Sequence, residues 1–346
     1  MNARRLSENI VILAGLVIGA QSCESTIDFK GEIAEPKIVL YSILQPDSLV
    51  TVNIAKSYPV TDYKYEPGQI TDAVVRLFCN NEFTELLQYV PPPVSSENIG
   101  GAKLSMYISQ TITPVHGNTY RIEVEIPGFK TVFGETALPG LVPVISVDTS
   151  IYEKDYSWGN MPWVNMIAHI RFADPEIDKN YYMLQMGETF GDYAGNPYTP
   201  YSPSSGIRVI SQECYFDKTD EPLLSPDRGE DQLGMYTYNS FNIFTDELIS
   251  GKSYELKVKV DFTMPDTNYF EFIHFQVQMQ SISKDLYLYL ESYSAYLQTN
   301  DQFFSEPVMI YSNVKNGLGV VGAKVTSVKT ARIGRYPVNG VYYVYE

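Results

Sequence analysis

The chain is poor in several residue types, and each scarcity excludes something. Three cysteines, three histidines and two tryptophans in 346 residues rule out a disulfide framework and a histidine- or cysteine-rich metal fold. Charged residues make up only 19%, below the average of about 25% for globular domains. Basic ones are the scarcer: Lys+Arg 25 against Asp+Glu 41 leaves a net charge of -16, which repels a phosphate backbone and an anionic lipid surface alike. Nucleic acid is not expected as a partner. Beyond the first 23 residues no apolar run is long enough to read as a membrane-spanning helix, and no internal repeat is found.

A hydrophobic fraction of 44% and an aromatic fraction of 13% suffice for a buried core and exclude disorder for most of the chain. The 28 tyrosines, 21 prolines and 23 glycines point to strands and turns, because aromatic residues fit pleated surfaces and Pro and Gly punctuate them. An all-β protein is expected, and the length favours two domains.

The start is an address. Arg4 and Arg5 precede an apolar run from Ile10 to Ala20, followed by Gln21, Ser22 and Cys23, the layout of a secretory signal too short to span a bilayer. Cys23 directly after the small residue Ser22, with Ala20 three positions before it, resembles the bacterial lipobox, although that box usually carries Leu where Ala20 stands. Residues 1–22 are therefore expected to be removed and Cys23 to be acylated. Each buried CH₂ adds about 0.8 kcal/mol, so several acyl chains make a stable anchor. The alternative is an ordinary cleaved signal with an incidental cysteine. The other thiols, Cys79 and Cys214, are expected to be buried and inert, with a disulfide between them as the alternative.

Residues 23–35 read as an acidic tether. Across 36–140, short strand signals alternate with turn chemistry such as Pro46-Asp47, Asn80-Asn81, Gly117-Asn118 and Pro127-Gly128, and Arg121 to Ile126 alternates strictly. This pattern predicts an immunoglobulin-like β-sandwich. Residues 141–346 are expected to form a second β-rich domain with one amphipathic helix over 283–298, where Ile282, Leu286, Leu290, Tyr293 and Leu297 recur behind a Ser283 cap.

The search for chemistry is short. Gly317-Leu318-Gly319-Val320-Val321-Gly322 is a formal GxGxxG, but a turn precedes it, a strand-like run follows it and no acid stands about 20 residues on, so a dinucleotide site is not expected. His116, His169 and His274 have no His or Cys at ligand spacing. Neither a GxSxG elbow nor an HExxH helix is present. The acids at Asp217, Asp220, Glu221, Asp227, Glu230 and Asp231 lack the alternation and central glycine of a calcium loop. They read as a solvated loop, with a cation site as the alternative. No catalytic residue, metal or cofactor is assigned, and the protein is expected not to be an enzyme. The aromatic residues in turn-rich stretches, Trp158, Trp163, Tyr193, Tyr198 and Tyr201, are the candidates for partner or ligand contact, since such rings offer large rigid faces at low entropic cost. Their alternative role is to pack the loops down.

Several segments taken in order resemble a Bacteroidota outer-membrane lipoprotein family known as domain of unknown function 4249. They are Cys23-Glu24 with Ile27-Asp28, Pro36 to Leu40, Ser57 to Val60, Asp72 to Leu77, Asp174-Pro175, Asn180-Tyr181-Tyr182, Phe244 to Glu247, Gly251-Lys252, Ser281 to Tyr287, and Glu306-Pro307 on to Asn313 to Gly319. The resemblance implies a lipid-anchored, cell-surface or outer-membrane protein that accompanies a TonB-dependent β-barrel transporter in nutrient uptake, without catalytic residues to carry over. A structural or adhesive envelope lipoprotein is the alternative.

Overall fold

The computed structural model describes residues 35–58, 68–91, 104–155, 163–176, 179–193, 207–225, 239–263, 270–299, 308–334 and 344–345. In chain order the first strands are β1 (Ile38–Leu44), β2 (Thr51–Lys56), β3 (Val74–Cys79), β4 (Glu82–Leu86), β5 (Gln88–Val90), β6 (Ser105–Ile108), β7 (Thr119–Glu125) and β8 (Val132–Ala137). Then come β9 (Val144–Asp155), β10 (Trp163–Ala173), β11 (Tyr181–Tyr193), β12 (Ile207–Glu213), β13 (Phe216–Asp217) and β14 (Ile243–Thr245). The series closes with β15 (Ser253–Thr263), β16 (Phe270–Ile282), the helix α1 (Lys284–Thr299), β17 (Leu318–Gly334) and β18 (Val344–Tyr345). The fold is all-β and sandwich-like, the class expected from composition.

Period-two alternation does the local work. β1 buries Ile38, Leu40, Ser42 and Leu44, and β7 buries Tyr120, Ile122 and Val124, so each strand has one dry face. Asn80 and Asn81 join β3 to β4 with φ of 50° and 69°, as a two-residue turn matched to hairpin twist requires.

One long sheet organises the rest. Its strand order is β12-β11-β16-β17-β1-β2-β6-β5, with β14 added beside β11 and β18 beside β17. Two four-stranded sheets, β4-β3-β7-β8 and β13-β15-β10-β9, lie against this spine and close two apolar cores. The first core gathers Leu40, Val52, Leu77, Tyr107 and Ile122, and the second Met166, Phe172, Leu184, Val258 and Val277. Rings of Tyr182, Phe244 and Tyr254 stand 5.8–6.2 Å from that of Phe172 in the second. Leu138 belongs to the first core and Val142 to the second, yet residues 314–325 return to the first through Val314, Val321, Ala323 and Val325. The sandwich expected over 36–140 thus takes a strand from near the far end of the chain.

That strand is β17, which pairs with β1 in parallel, whereas every other strand pair among the described residues is antiparallel. The glycines of the formal GxGxxG make the approach possible. A Cβ on Gly317 would stand 2.7 Å from the Ile38 carbonyl oxygen, and one on Gly319, at φ +108°, only 2.1 Å from that of Leu40. On the opposite face a Cβ on Gly322 would meet the Leu286 Cβ at 2.9 Å, where α1 sits down on the sheet. These residues serve strand and helix packing.

The helix runs over 284–299, one residue later than expected, and Ser283 caps it: its Oγ accepts from the Leu286 N–H at 3.4 Å. The same hydroxyl accepts from the Ala323 N–H at 3.1 Å, while the Ser283 N–H donates to the Ala323 carbonyl at 2.9 Å. The cap is therefore also the bolt between helix and spine. Burial along α1 is confined to Leu286, Tyr287 and Ser294. Leu297, expected in the buried stripe, is 43% exposed, because the helix rests on the sheet mainly through its first two turns.

Gly319→Ala is expected to cost more than about 3 kcal/mol, since it adds a backbone clash to a left-handed φ. Gly322→Ala should cost about 1–3 kcal/mol, because the Leu286 side chain must shift. Urea denaturation of the two variants measures both, and equal losses would contradict this packing.

Candidate functional site

The buried charged groups come first, because a buried charge must be paired, hydrogen-bonded or functional. Asp174, at 5% exposure, accepts from the Tyr182 hydroxyl and from the Gly251 N–H at 3.0 Å. Asp246, at 3%, accepts from the Asn180 N–H at 2.8 Å. Burial first, and then the bond to Asp174, push the Tyr182 phenol well above the ordinary tyrosine value. The segments Asp174-Pro175, Asn180-Tyr181-Tyr182, Phe244 to Glu247 and Gly251-Lys252 thus converge on one corner and consume one another's polar groups. Likewise, the Asn313 side chain holds β17 by both backbone groups of Val321, at 2.8 and 2.9 Å, and reaches the Glu135 carbonyl of β8 at 3.0 Å. The family-like motifs are structural joints in these places.

The acidic stretch is spoken for in the same way. Asp217 accepts from the N–H and hydroxyl of Thr219 at 2.9 and 2.6 Å, and Asp220 pairs with Lys259 at 2.5 Å. Glu221, at 2% exposure, accepts from the Tyr254 hydroxyl and the Lys257 N–H, each at 2.8 Å. Asp227, Glu230 and Asp231 lie outside the described residues. Among the described residues no group of three or more His, Cys, Asp and Glu could hold a metal. Cys79 and Cys214 are unbridged and half-buried, each packed against a different core.

One constellation brings distant residues together in a catalytic-looking order. On the outer face of the β13-β15-β10-β9 sheet, His169 Nε2 lies 3.1 Å from Ser150 Oγ, and His169 Nδ1 lies 3.2 Å from Glu255 Oε1. Glu255 also takes Arg171 Nε at 2.6 Å and Lys257 Nζ at 3.3 Å. Arg171 first, then His169 and Lys257, lower the Glu255 carboxyl from its ordinary 4.5 to about 2. A serine, an imidazole and a carboxylate in this order can relay a proton. Here, however, Ser150 is exposed on an open sheet face, without the water exclusion on which oxyanion stabilisation depends. The ladder is a cross-strand charge network. His169 was recognisable as a face histidine, but Ser150 and Glu255 carry no local signal.

Of the aromatic candidates, Trp163 opens β10 opposite Asp155 and Thr263, and Tyr193 closes β11 opposite Ile207. Phe172 and Tyr182 meet at the other ends of these strands, so the backbones of Trp163 and Tyr193 reach the same end of the second sandwich. Trp158, Tyr198 and Tyr201 lie outside the described residues, as does Cys23. The connections that carry Trp158, Tyr198 and Tyr201 in sequence leave from that end.

Fold and joints define the class: an all-β protein in which one sheet carries two sandwiches and a bolted helix. The chain belongs to the family described as "Domain of unknown function (DUF4249)", whose model matches residues 24–330. No curated protein matches it. Among solved structures it is similar to "Biofilm associated protein - B domain", at 7% identity over 90% of this chain and 88% of that one, with a TM-score of 0.16. It is also similar to "Biofilm associated protein - BSP domain", at 8% identity over 90% and 62%, again with a TM-score of 0.16.

Two outcomes follow from the charged groups. Tyr182→Phe should cost about 1–3 kcal/mol in urea denaturation, because it leaves one oxygen of the buried Asp174 unpartnered; a neutral result would remove Asp174 from the joint. The depressed Glu255 value stabilises the fold fully above pH 4.5 and ceases to do so as pH falls through about 2. Glu255→Gln should therefore lower the melting temperature at pH 7 and leave it unchanged near pH 2.

Proposed function

We propose that the protein is a lipid-anchored envelope protein that acts by binding and not by catalysis, as an accessory of a TonB-dependent outer-membrane transporter in nutrient uptake. The observation that carries this is Cys23 directly after Ala20-Gln21-Ser22, behind a basic end and a short apolar run. The family match begins at residue 24, the residue after the acylated position, which supports cleavage before Cys23. Among the described residues no helix is long and apolar enough to cross a membrane, so in this reading the acyl chains make the membrane contact and the net charge of -16 keeps the folded part off an anionic leaflet.

The binding reading rests on how the polar groups are used. Among the described residues, Asp174, Glu221 and Glu255 are engaged by tyrosine hydroxyls, backbone N–H groups and surface cations. Partner contact falls to the aromatic end of the second sandwich, with Trp163 and Tyr193 at its rim.

The test is recovery of the tagged full chain from detergent-solubilised outer membranes. Cys23→Ser should abolish incorporation of labelled fatty acid and release the protein from the membrane fraction, and the wild type should copurify with a β-barrel. Recovery without a barrel partner, combined with normal growth of a deletion strain on each defined nutrient, would overturn the transporter reading in favour of a structural or adhesive role.

A further inference from the structure

Lys218, the residue after β13, is half-buried and has no ion-pair partner among the described residues. The neighbouring acids are committed elsewhere: Asp220 to Lys259, and Glu221 to the Tyr254 hydroxyl and the Lys257 N–H. Its ammonium is held instead by two neutral oxygens, the Asn239 carbonyl and the side-chain Oδ1 of Asn242. Burial lowers it from its ordinary 10.5 to about 8, so near neutral pH a fraction of the amine is unprotonated and nucleophilic.

Both sides of this contact are held in place by other bonds. On one side, Phe216 and Asp217 pair with Val260 and Lys259 of β15, and the Lys218 carbonyl accepts from the Glu221 N–H at 3.0 Å. On the other, Asn239 closes its own turn: its Oδ1 accepts from the Ile243 N–H at 2.9 Å, its Nδ2 donates to the Ile243 carbonyl at 2.6 Å, and its carbonyl accepts from the Asn242 N–H at 3.3 Å. Asn242 lies in the left-handed region at φ 54°, and its own carbonyl accepts from the Leu184 N–H at 3.0 Å. Its side-chain Nδ2 has no hydrogen-bond partner among the described residues. An amine bonded to Oδ1 stands beside Cγ, the carbon that carries that oxygen. Well-oriented intramolecular pairs of this kind reach effective molarities of about 10⁵–10⁸ M.

We propose that Lys218 and Asn242 join in an intramolecular isopeptide bond. The neutral Nζ attacks Cγ of Asn242: the Nζ–Cγ bond forms, the Cγ–Nδ2 bond breaks, and one Nζ proton passes to the departing nitrogen, which leaves as ammonia. Nothing is oxidised or reduced and no co-reactant is consumed. The Asn239 carbonyl orients the amine by accepting its other proton, and the unpartnered Nδ2 is free to depart. Strand β13 belongs to the four-stranded sheet of the second sandwich, and β14, which begins at Ile243, to the spine. The link therefore joins the two sheets and closes residues 218–242 into a covalent loop, which restricts the unfolded chain more than the folded one. It depends on neither the anchor nor a transporter partner, so it stands or falls separately from them.

Tryptic mapping of the folded full chain by mass spectrometry tests it. The chain is expected to resist cleavage after Lys218 and to yield one branched peptide that carries residues 218 and 242 together, lighter by one ammonia than its two arms. The branched peptide is the decisive readout, because a succinimide at Asn316-Gly317 also loses ammonia but leaves the two arms separate. Lys218→Arg and Asn242→Ala should each abolish the branched peptide. The measurement on the wild type needs no variant to fold. Cleavage after Lys218 with separate, unmodified arms from the folded wild type would overturn the proposal and leave the pair a hydrogen-bonded clasp, as would an ammonia loss confined to Asn316-Gly317 or a branched peptide that persists in either variant.

Discussion

The parallel contact between β1 and β17 is the constraint on which the rest of the structure depends. It joins Val39 to Leu318 and Leu44 to Ala323, and at Gly317 and Gly319 the chain passes the Ile38 and Leu40 carbonyls too closely for a Cβ. Once made, it fixes three things. Odd-numbered residues of β17 complete the first core and enter the second, Gly322 opens a seat for Leu286, and the Ala323 backbone receives the Ser283 cap. Helix, spine and both sandwiches share one strand, so they cannot be displaced independently.

The acids illustrate how polar groups are handled in so apolar a frame. Asp174, Asp246 and Glu221 are buried without a cation, each held by neutral donors. Neutral donors satisfy a carboxylate without importing a second charge, which limits the desolvation cost to one ion. His169, Arg171 and Lys257 instead gather around Glu255 on an outer sheet face. The distribution suits a chain with few basic residues, because interior acids do not compete for them.

Legibility in the sequence tracked the range of the interaction. Strands β1 and β7, the Asn80-Asn81 hairpin and the Ser283 cap were readable because alternation, turn chemistry and capping act within a few residues. The β1–β17 pair was not, since Gly317 to Gly322 carries no mark of a partner strand at the other end of the chain. The stripe on α1 was overextended to Leu297 because periodicity reports a face and not how much sheet lies beneath it. Ser150 and Glu255 became neighbours of His169 only through the registers of β9 and β15. The aromatic candidates were found by density alone, and only Trp163 and Tyr193 acquired a place in the fold.

The order of synthesis gives the β1–β17 contact another meaning. A chain that emerges from its N-terminus exposes β1 first, and the strand that must cover that edge emerges almost last. Until then β1 has β2 on one side and an open row of N–H and C=O groups on the other, a template for any extended segment nearby. Pairing across nearly the whole chain is also slow, because loop closure is completed before the contact can repay it. The first sandwich is therefore completed only when β17 arrives, which makes chains that stop short of β17 the species most in need of a chaperone.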